Sequence, residues 1–209
     1  WLFVKPTPGS SNFISDYSSL VINEIMGHNK TYYSDEYSEY DDWIELYNTG
    51  DSPIDIGGLY LSDSLEDPRS FRISTEYPDS TTIAPGEYIV LWADNSEDQG
   101  ILHLGFKISK TGEFIGIFDP SANLIDSVSY PFISPNLSYG RITDGDEIWT
   151  IFSGPTPASE NIYVTGLRKV NPDNTLSIYP NPVKDEAVIE VSLDKPSDLV
   201  IDIIDSKGR

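Results

Sequence analysis

The sequence predicts an all-β protein, because three of its features are those of a β-sandwich. Short segments of alternating apolar and polar residues recur at a spacing of roughly 8–12 residues, with turn sequences between them. No stretch longer than about ten residues keeps the periodicity of a helix. The 209 residues include 15 glycines and 15 prolines, which suits many turns, and 38% hydrophobic residues, which suits a folded core.

Each expected strand is a short apolar run between turn signals. Residues 88–93 are apolar on both faces, which is typical of a strand in a sandwich core. Turns are expected at Asn48-Thr-Gly50-Asp51, Pro85-Gly86, Asp119-Pro120 and Asp144-Gly145. In chain order, the predicted strands are 20–26, 43–48, 59–62, 70–73, 88–93, 105–108, 114–119, 124–130, 138–142 and 148–152.

One phrase occurs twice, and it indicates how the chain is organised. Trp1 and a short spacer precede Pro6-Thr7-Pro8-Gly9-Ser10-Ser-Asn12, and Trp149 precedes Pro155-Thr156-Pro157-Ala158-Ser159-Glu-Asn161. The separation of the copies is that of whole domains and is too long for solenoid repeats. We therefore interpret residues 1–12 as the remnant of a preceding module, and residues 13–161 as a full copy of such a module.

The C-terminal part has a different composition. Residues 162–175 are mixed and polar, and Pro172 interrupts any pattern, which predicts a linker. Further strands are expected at 176–179, 187–193 and 199–205. Three strands are few for an independent sandwich, so residues 176–209 are interpreted as a truncated small β domain.

Composition excludes several classes of protein. The formal net charge of −21 opposes binding to phosphate backbones, so nucleic-acid binding is not expected. The acidity is explained either by solubility or by divalent-cation binding. The chain has no Cys, which removes disulfides, thiolate metal sites and thiol catalysis. No apolar run reaches the roughly 18 residues of a membrane-spanning helix.

Segments over about 140 residues resemble the lamin-tail domain in its bacterial form. This resemblance implies an immunoglobulin-like β-sandwich, here of a type without cysteine, and no catalytic signature. Bacterial members of the family are attached to secreted hydrolases and other surface proteins. The segments that carry the resemblance include Val21-Ile-Asn-Glu24-Ile25-Met26, Asp41-Asp42-Trp43-Ile-Glu45-Leu-Tyr47-Asn48-Thr-Gly50, Pro85-Gly86-Glu-Tyr-Ile-Val-Leu-Trp92-Ala-Asp94-Asn95 and Tyr139-Gly140-Arg141.

The C-terminal part resembles the sorting domain of type IX secretion, a system of the Bacteroidota. The resemblance lies in Tyr179-Pro180-Asn181-Pro182-Val183, which follows the linker and precedes two alternating strands. The terminal strands of that family are missing from this sequence. The resemblance implies export across the outer membrane, so the expected localisation is secreted or at the outer-membrane surface.

The search for catalytic residues is mostly negative, and no enzyme activity is expected. The two histidines, His28 and His103, are far apart, and no nucleophile elbow, phosphate-binding glycine loop or zinc spacing is present. His103 is expected to have a structural role. Glu24 and Glu45 lie in apolar strands, where each would face solvent or pair with a base or a backbone N–H, and Arg141 is one candidate partner.

The aromatic residues fall into two sets. Trp43, Tyr47, Trp92 and Trp149 alternate with aliphatic residues and are expected in the core, although they could also be sugar-stacking platforms. The second set lies in an irregular acidic stretch, where exposed aromatic side chains indicate a recognition surface; the alternative is a loop folded onto the edge of the sandwich. Its members are Tyr32, Tyr33, Tyr37 and Tyr40.

Two acidic runs are candidates for calcium, which takes six to eight oxygen ligands at roughly 2.3–2.6 Å. The first contains Asp35, Glu36, Glu39, Asp41 and Asp42, and the second contains Asp94, Asn95, Glu97 and Asp98. No other cofactor is expected. Asp-Ser-x triplets resemble the acceptor pattern for O-glycosylation in Bacteroidota, and the better candidates are Ser64 and Ser80.

Together these observations predict a non-catalytic binding, adhesion or spacer module of a large exported or cell-surface protein. Its partners would be an unidentified protein or glycan ligand and the neighbouring modules of the same chain. The alternative is a carbohydrate-binding accessory module of a secreted hydrolase, which an exposed aromatic row over a shallow groove would favour. An intrinsic hydrolase would require a cleft that holds two close carboxylates.

Overall fold

The computed structural model describes residues 17–162 and the two strands Thr175–Tyr179 and Val188–Ser192. The chain divides into two compact units, Trp1–Ile162 and Tyr163–Arg209. The predictions made for residues 1–12, for 163–174 and for the strand 199–205 lie outside the described residues.

The first unit is almost entirely antiparallel β-structure. It contains one four-residue helix, α1 (Pro78–Thr81), among its described residues. The strands are β1 (Leu20–Met26), β2 (Trp43–Asn48), β3 (Ile54–Asp55), β4 (Tyr60–Ser62), β5 (Phe71–Arg72), β6 (Thr82–Ile83), β7 (Tyr88–Trp92), β8 (Phe114–Phe118), β9 (Leu124–Ser129), β10 (Ser138–Arg141) and β11 (Trp149–Phe152).

Two sheets enclose one core, as expected for an immunoglobulin-like sandwich. A five-stranded sheet has the order β11-β10-β1-β2-β7, a four-stranded sheet has the order β5-β4-β8-β9, and β3 pairs with β6. Side chains from both sheets form a single buried aliphatic cluster, because every second residue of each strand points inward. Ile25, Ile44 and Leu91 belong to this cluster and lie side by side on β1, β2 and β7.

Part of the opposite face of the five-stranded sheet is also buried. Met26 pairs with Trp43 across β1 and β2, Trp43 pairs with Trp92 across β2 and β7, and these side chains form a second cluster. Because side chains alternate along a strand, this cluster lies on the outer face, away from the sandwich core. Tyr33 and Val90 pack against it.

Two of the three indoles are buried as predicted. Trp43 is fully buried and Trp92 is nearly so, whereas Trp149 is half-buried. The Trp149 ring stacks on Tyr139 at 5.3 Å between centroids, and the Arg141 guanidinium lies 4.8 Å from its centroid. The three indoles therefore form packing contacts and not an exposed row of sugar platforms.

The predicted strand 105–108 is wrong. Residues 102–104 instead take the edge of β7, since Trp92 N–H donates to Leu102 O at 2.8 Å and Leu104 N–H donates to Trp92 O at 2.7 Å. Beyond this point Lys107 makes only an isolated bridge to Asp94. The β3–β6 pair and α1 were not predicted, because elements of two to four residues carry too little periodicity.

Glu24 and Glu45 are the most unusual residues of the five-stranded sheet, since both are fully buried acids. They are Cα partners across β1 and β2, after a bulge between Ile22 and Glu24 that turns Glu24 to the outer face. Burial raises the pKa of Glu24, and it raises the pKa of Glu45 well above its ordinary value, although hydrogen bonds to both groups oppose the shift.

Residues 155–161, here called the closing segment, cover these two carboxylates. Thr156 N–H and Thr156 Oγ1 lie 3.1 and 3.0 Å from Glu24 Oε2. Ala158 N–H donates to Glu45 Oε2 at 2.7 Å. Asn161 Nδ2 donates to Arg141 O at 2.8 Å. The polar residues of the repeated phrase therefore anchor the end of the sandwich to its buried acids.

The expectation that Arg141 pairs with one of these acids is wrong. Arg141 Nη2 lies 2.8 Å from Asp126 Oδ2, and Arg141 Nε donates to Ile22 O at 2.7 Å. The partner of Glu24 on β10 is Gly140, so Arg141, one residue further along the strand, projects to the other face.

The second unit contains β12 (Thr175–Tyr179) and β13 (Val188–Ser192), which pair antiparallel with Ser177 opposite Glu190. These strands overlap the predicted strands 176–179 and 187–193. Across the described parts of both units, no helix has the length and apolar character needed to cross a membrane.

Candidate functional site

The connection between β1 and β2 forms the candidate site. Residues 29–42, here called the tyrosine loop, are fixed at their base by the buried Asn29. The Asn29 amide donates from Nδ2 to Tyr33 O at 2.6 Å and to Asp41 O at 2.9 Å, and its Oδ1 accepts from Tyr32 N–H at 3.1 Å. Asp42 Oδ1 accepts the Asn29 N–H at 2.8 Å, so Asp42 has a structural role at the base of the loop.

Tyr33 attaches the loop to the outer face of the sheet. Its ring stacks on Trp92 at 5.5 Å between centroids with an interplanar angle of 18°. Trp92 in turn stacks loosely on His103, at 6.5 Å. Of the four tyrosines predicted to bind a ligand, Tyr33 is thus the one used for packing.

The other three tyrosines expose about half of their surface. Tyr32, Tyr37 and Tyr40 are 45%, 53% and 48% exposed. The Tyr32 hydroxyl donates to Pro155 O at 2.8 Å, and the Tyr37 hydroxyl donates to Gln99 O at 3.0 Å. Hydrogen bonds at the hydroxyl ends hold Tyr32 and Tyr37 in place while their rings remain accessible.

A shallow depression of about 300 Å³ separates the tyrosine loop from the closing segment. Its lining comes from the loop, from β7, from Leu102 and from Ala158, and includes Tyr33, Asp35, Glu36, Tyr88 and Trp92. Since Tyr32 bridges to Pro155, the loop and the closing segment together cover the outer face of the five-stranded sheet.

Acidic residues of the two predicted runs meet beside the tyrosines. Asp35, Asp94 and His103 are all buried, and one potential ligand atom from each lies within 4.8 Å of the others. His103 Nδ1 lies 2.6 Å from Asp94 Oδ2, and its Nε2 lies 3.4 Å from Glu36 Oε1. A second group, Asp35, Glu39 and Asp41, shares Asp35 with the first.

The electrostatics of this cluster reflect its excess of carboxylates. Burial lowers the pKa of His103, but the hydrogen bond and charge of Asp94, with those of Glu36, outweigh it and leave the pKa raised. Burial and the neighbouring charges of Asp94, Asp35 and Glu39 raise the pKa of Asp41. The cluster therefore favours a positive charge at its centre.

The remaining predicted residues lie elsewhere. Asn95, Glu97 and Asp98 are exposed on the segment that follows β7 and belong to neither group of acids. Ser64 is half-buried, and its Oγ accepts a hydrogen bond from Glu66 N–H at 3.1 Å. Ser80 is exposed, but it lies in α1 and not in a turn.

Two contributors to this site were not predicted from the sequence. His103 was expected to be structural, and Gln99, which donates from Nε2 to Glu39 Oε2 at 2.8 Å, was not considered. The signal that points to His103 is its position after the acidic run that begins at Asp94. The parallel bridge between Trp92 and His103 brings that segment back along the edge of the sheet.

The fold and the site define a cysteine-free, immunoglobulin-like β-sandwich module with an aromatic and acidic loop on its outer face. Residues 14–132 match the family model of the Lamin Tail Domain, which is more than half of the 209-residue chain. The chain therefore belongs to the lamin tail domain family, as the sequence predicted. The comparisons with curated proteins and with solved structures gave no match.

Proposed function

We propose that this lamin tail domain is a non-catalytic binding module of an exported bacterial protein, and that the tyrosine loop is its recognition surface. The observation that carries the proposal is the exposure of Tyr32, Tyr37 and Tyr40 on a loop fixed by Asn29 and Tyr33. Side chains that are already ordered lose little conformational entropy when a partner binds. Tyrosine also offers a large apolar ring with a polar end, which suits interfaces.

The charges around the tyrosines restrict the partner. Glu36 and Glu39 are exposed beside Tyr37, and the whole chain carries a formal net charge of −21. Complementary potentials accelerate association and exclude partners of like charge. We therefore favour a protein partner with exposed Lys or Arg side chains, which can contact both the carboxylates and the tyrosine rings.

A glycan ligand is the second candidate. The observation that favours it is the same set of exposed rings on a loop whose Tyr33, Asp35 and Glu36 line a shallow depression of about 300 Å³, since sugars stack on aromatic side chains and hydrogen-bond to carboxylates. In that case the domain would act as a carbohydrate-binding accessory module of a secreted hydrolase.

The experiment is a binding screen with the full chain, using a glycan array and a panel of cell-surface proteins. The double variant Tyr37→Ala/Tyr40→Ala should weaken binding of any true ligand by at least about tenfold, as for central aromatic contacts. Tyr77→Ala is the matched control, because Tyr77 is 56% exposed and lies outside the tyrosine loop, at the start of α1. Equal binding by wild type and the double variant would contradict the role of the loop.

The export of the protein is a separate part of the proposal. The resemblance of residues 176–209 to the type IX sorting domain supports secretion or attachment at the outer-membrane surface of a Bacteroidota species. The repeated phrase at residues 6–12 and 155–161 supports neighbouring modules of the same kind. Fractionation of the native host should find the protein in the medium or on the outer membrane, and recovery from the cytoplasm would contradict this part.

A further inference from the structure

We propose that Asp35, Asp94 and His103 form a binding site for a divalent transition-metal ion, for which Zn²⁺ is the probe. The three residues come from the tyrosine loop and from the segment after β7. They present two carboxylates and one imidazole, all buried, with one ligand atom from each within 4.8 Å of the others. A zinc ion with donors at about 2.0–2.2 Å holds them about 3.3 Å apart, so atoms now up to 4.8 Å apart would move closer, and His103 Nδ1 would move away from Asp94 Oδ2, which lies 2.6 Å from it.

The Asp35 side chain provides an independent indication of a missing ligand. Asp35 is only 8% exposed, and its Oδ1 accepts hydrogen bonds from Tyr37 N–H at 2.9 Å and Glu39 N–H at 2.8 Å. Its other oxygen, Oδ2, is buried and has no hydrogen-bond partner among the described residues. Buried charged oxygen atoms are normally paired, and an unpaired one requires an explanation such as an ion.

The negative charges around His103 also indicate a bound cation. His103 faces Asp94 through Nδ1 and Glu36 through Nε2, and Asp35 adds a third carboxylate. A protonated His103 would neutralise one of these three negative charges. A divalent cation bound between Asp35 and Asp94 would neutralise both buried carboxylates at once.

The donor set favours a transition metal over calcium. Ca²⁺ takes six to eight oxygen ligands, whereas imidazole nitrogen with carboxylate oxygen suits Zn²⁺. Nδ1 is the ring nitrogen that contacts the buried Asp94, so it would be the metal ligand. His103 Nε2 would then carry the proton and direct it to Glu36 Oε1, at 3.4 Å, which holds the outer position that carboxylates usually occupy behind a ligating histidine.

Metal binding at this site would join the tyrosine loop to the edge of β7. Asp35 lies in the loop, whereas Asp94 and His103 follow β7, and His103 contacts Trp92. An ion that binds only the folded chain must raise its stability by mass action. The ion would also fix the positions of Tyr33 and Tyr37 on either side of Asp35.

The test uses the full chain, without an affinity tag and freed of metal by EDTA. Zn²⁺ should bind with one equivalent at saturation and raise the melting temperature, and Co²⁺ should give the visible absorption of a tetrahedral site. Asp35→Asn is the sharpest variant, since asparagine keeps the Oδ1 acceptor and replaces only the unpartnered Oδ2. It should weaken Zn²⁺ binding by about 100-fold or more, and Glu36→Gln should weaken it by about tenfold.

Matched controls come from the same chain. His28→Gln removes the only other histidine, and Asp98→Asn removes an acid from the same segment as Asp94; both should bind Zn²⁺ like the wild type. His103→Gln should abolish the Co²⁺ absorption. If His103→Gln does not fold, the test depends on Asp35→Asn, and circular dichroism shows whether that variant is folded. Three results would overturn the proposal: no shift with Zn²⁺, equal binding by Asp35→Asn, or stabilisation by Ca²⁺ that His103→Gln retains.

Discussion

Thr156 contacts the buried carboxylate of Glu24 through both its backbone and its side chain. Its N–H lies 3.1 Å and its hydroxyl oxygen 3.0 Å from the same oxygen, Glu24 Oε2. Glu24 lies on β1 near the start of the described chain, and Thr156 follows the last strand of the sandwich. This contact therefore closes the fold, and it explains why a threonine occupies this place in the repeated phrase.

Thr156→Val should destabilise the chain. Valine has the same shape and leaves the backbone donor in place, but it removes the hydroxyl, which lies 3.0 Å from Glu24 Oε2 and 2.8 Å from Asn161 Oδ1, so both oxygens lose a contact. Hydrogen bonds to charged groups contribute about 1.5–3 kcal/mol, so we expect a loss of that size in the free energy of unfolding measured with urea. Thr143→Val, at an exposed hydroxyl 3.3 Å from Asp146 Oδ2, should change it by less than about 0.5 kcal/mol. Equal losses would contradict the role of Thr156.

The sequence predicted the sandwich because its strands are set by local alternation and by turn residues. It did not predict the bulge at Ile22 and Glu24, since a bulge shifts one residue without changing composition. From the sequence, Glu24 was expected to face solvent or to pair with a base or a backbone N–H, and the backbone N–H of Thr156 is the alternative that the structure confirms. The predicted strand 105–108 is wrong for a similar reason, because local alternation does not show which segment pairs with a given strand. Residues 102–104 already occupy the edge of β7.

The candidate site was predicted in part for a related reason. The tyrosine loop is recognisable from composition, because aromatic and acidic residues accumulate in one irregular stretch. The meeting of Asp35 with Asp94 depends on how the loop folds over Trp92, which no local pattern encodes. The sequence thus identified both acidic runs but treated them as separate, and it gave His103 no part in either.

Gly112 and Gly86 form a matched pair for a second prediction. Both have left-handed backbone, with φ of +92° and +71°. A Cβ at Gly86 would meet nothing within 4 Å, whereas one at Gly112 would clash with the Tyr130 carbonyl oxygen and lie 2.8 Å from the Pro131 carbonyl carbon. Gly86→Ala should therefore cost only about 1 kcal/mol for the backbone conformation, and Gly112→Ala more than about 3 kcal/mol. Thermal and urea unfolding measure the loss of stability in both variants. Similar losses in the two would show that the backbone at Pro131 moves easily.

The buried acids predict a pH dependence of stability. The pKa of Glu45 is raised well above its ordinary value of 4.5, mainly by burial. A group with a raised pKa contributes stability that is fully present below its unfolded pKa and is lost as the pH rises through its folded pKa. The free energy of unfolding should therefore fall as the pH rises from 4.5 toward neutrality.

Glu45→Gln isolates this contribution. In this variant the free energy of unfolding should change less steeply with pH, by up to about 1.4 kcal/mol per pH unit, which is the effect of one proton. This difference in slope does not depend on the absolute stability of the variant. Glu147→Gln removes the same charge from an exposed position and should keep the slope of the wild type. Urea unfolding across this pH range measures all three proteins. Identical slopes for the two variants would mean that Glu45 does not titrate in this window.

Ala158 provides the last prediction, because it combines a strained backbone with a place in the repeated phrase. Its φ is +56°, and its N–H donates to Glu45 Oε2 at 2.7 Å. A left-handed conformation costs an alanine roughly 1–2 kcal/mol more than a glycine. The first copy of the phrase has Gly9 at the corresponding position, which is the residue that this conformation favours.

Ala158→Gly should therefore stabilise the chain. Glycine relieves the strain and keeps the N–H donor, but it also increases the conformational entropy of the unfolded chain, so we expect a net gain of about 0.5–1 kcal/mol. Ala84→Gly is the matched control, since Ala84 is exposed and its φ is not positive; it should lose about 0.5–1 kcal/mol. Urea unfolding of both variants decides the matter. A loss of stability in Ala158→Gly equal to that in Ala84→Gly would show that the closing segment holds Ala158 without strain.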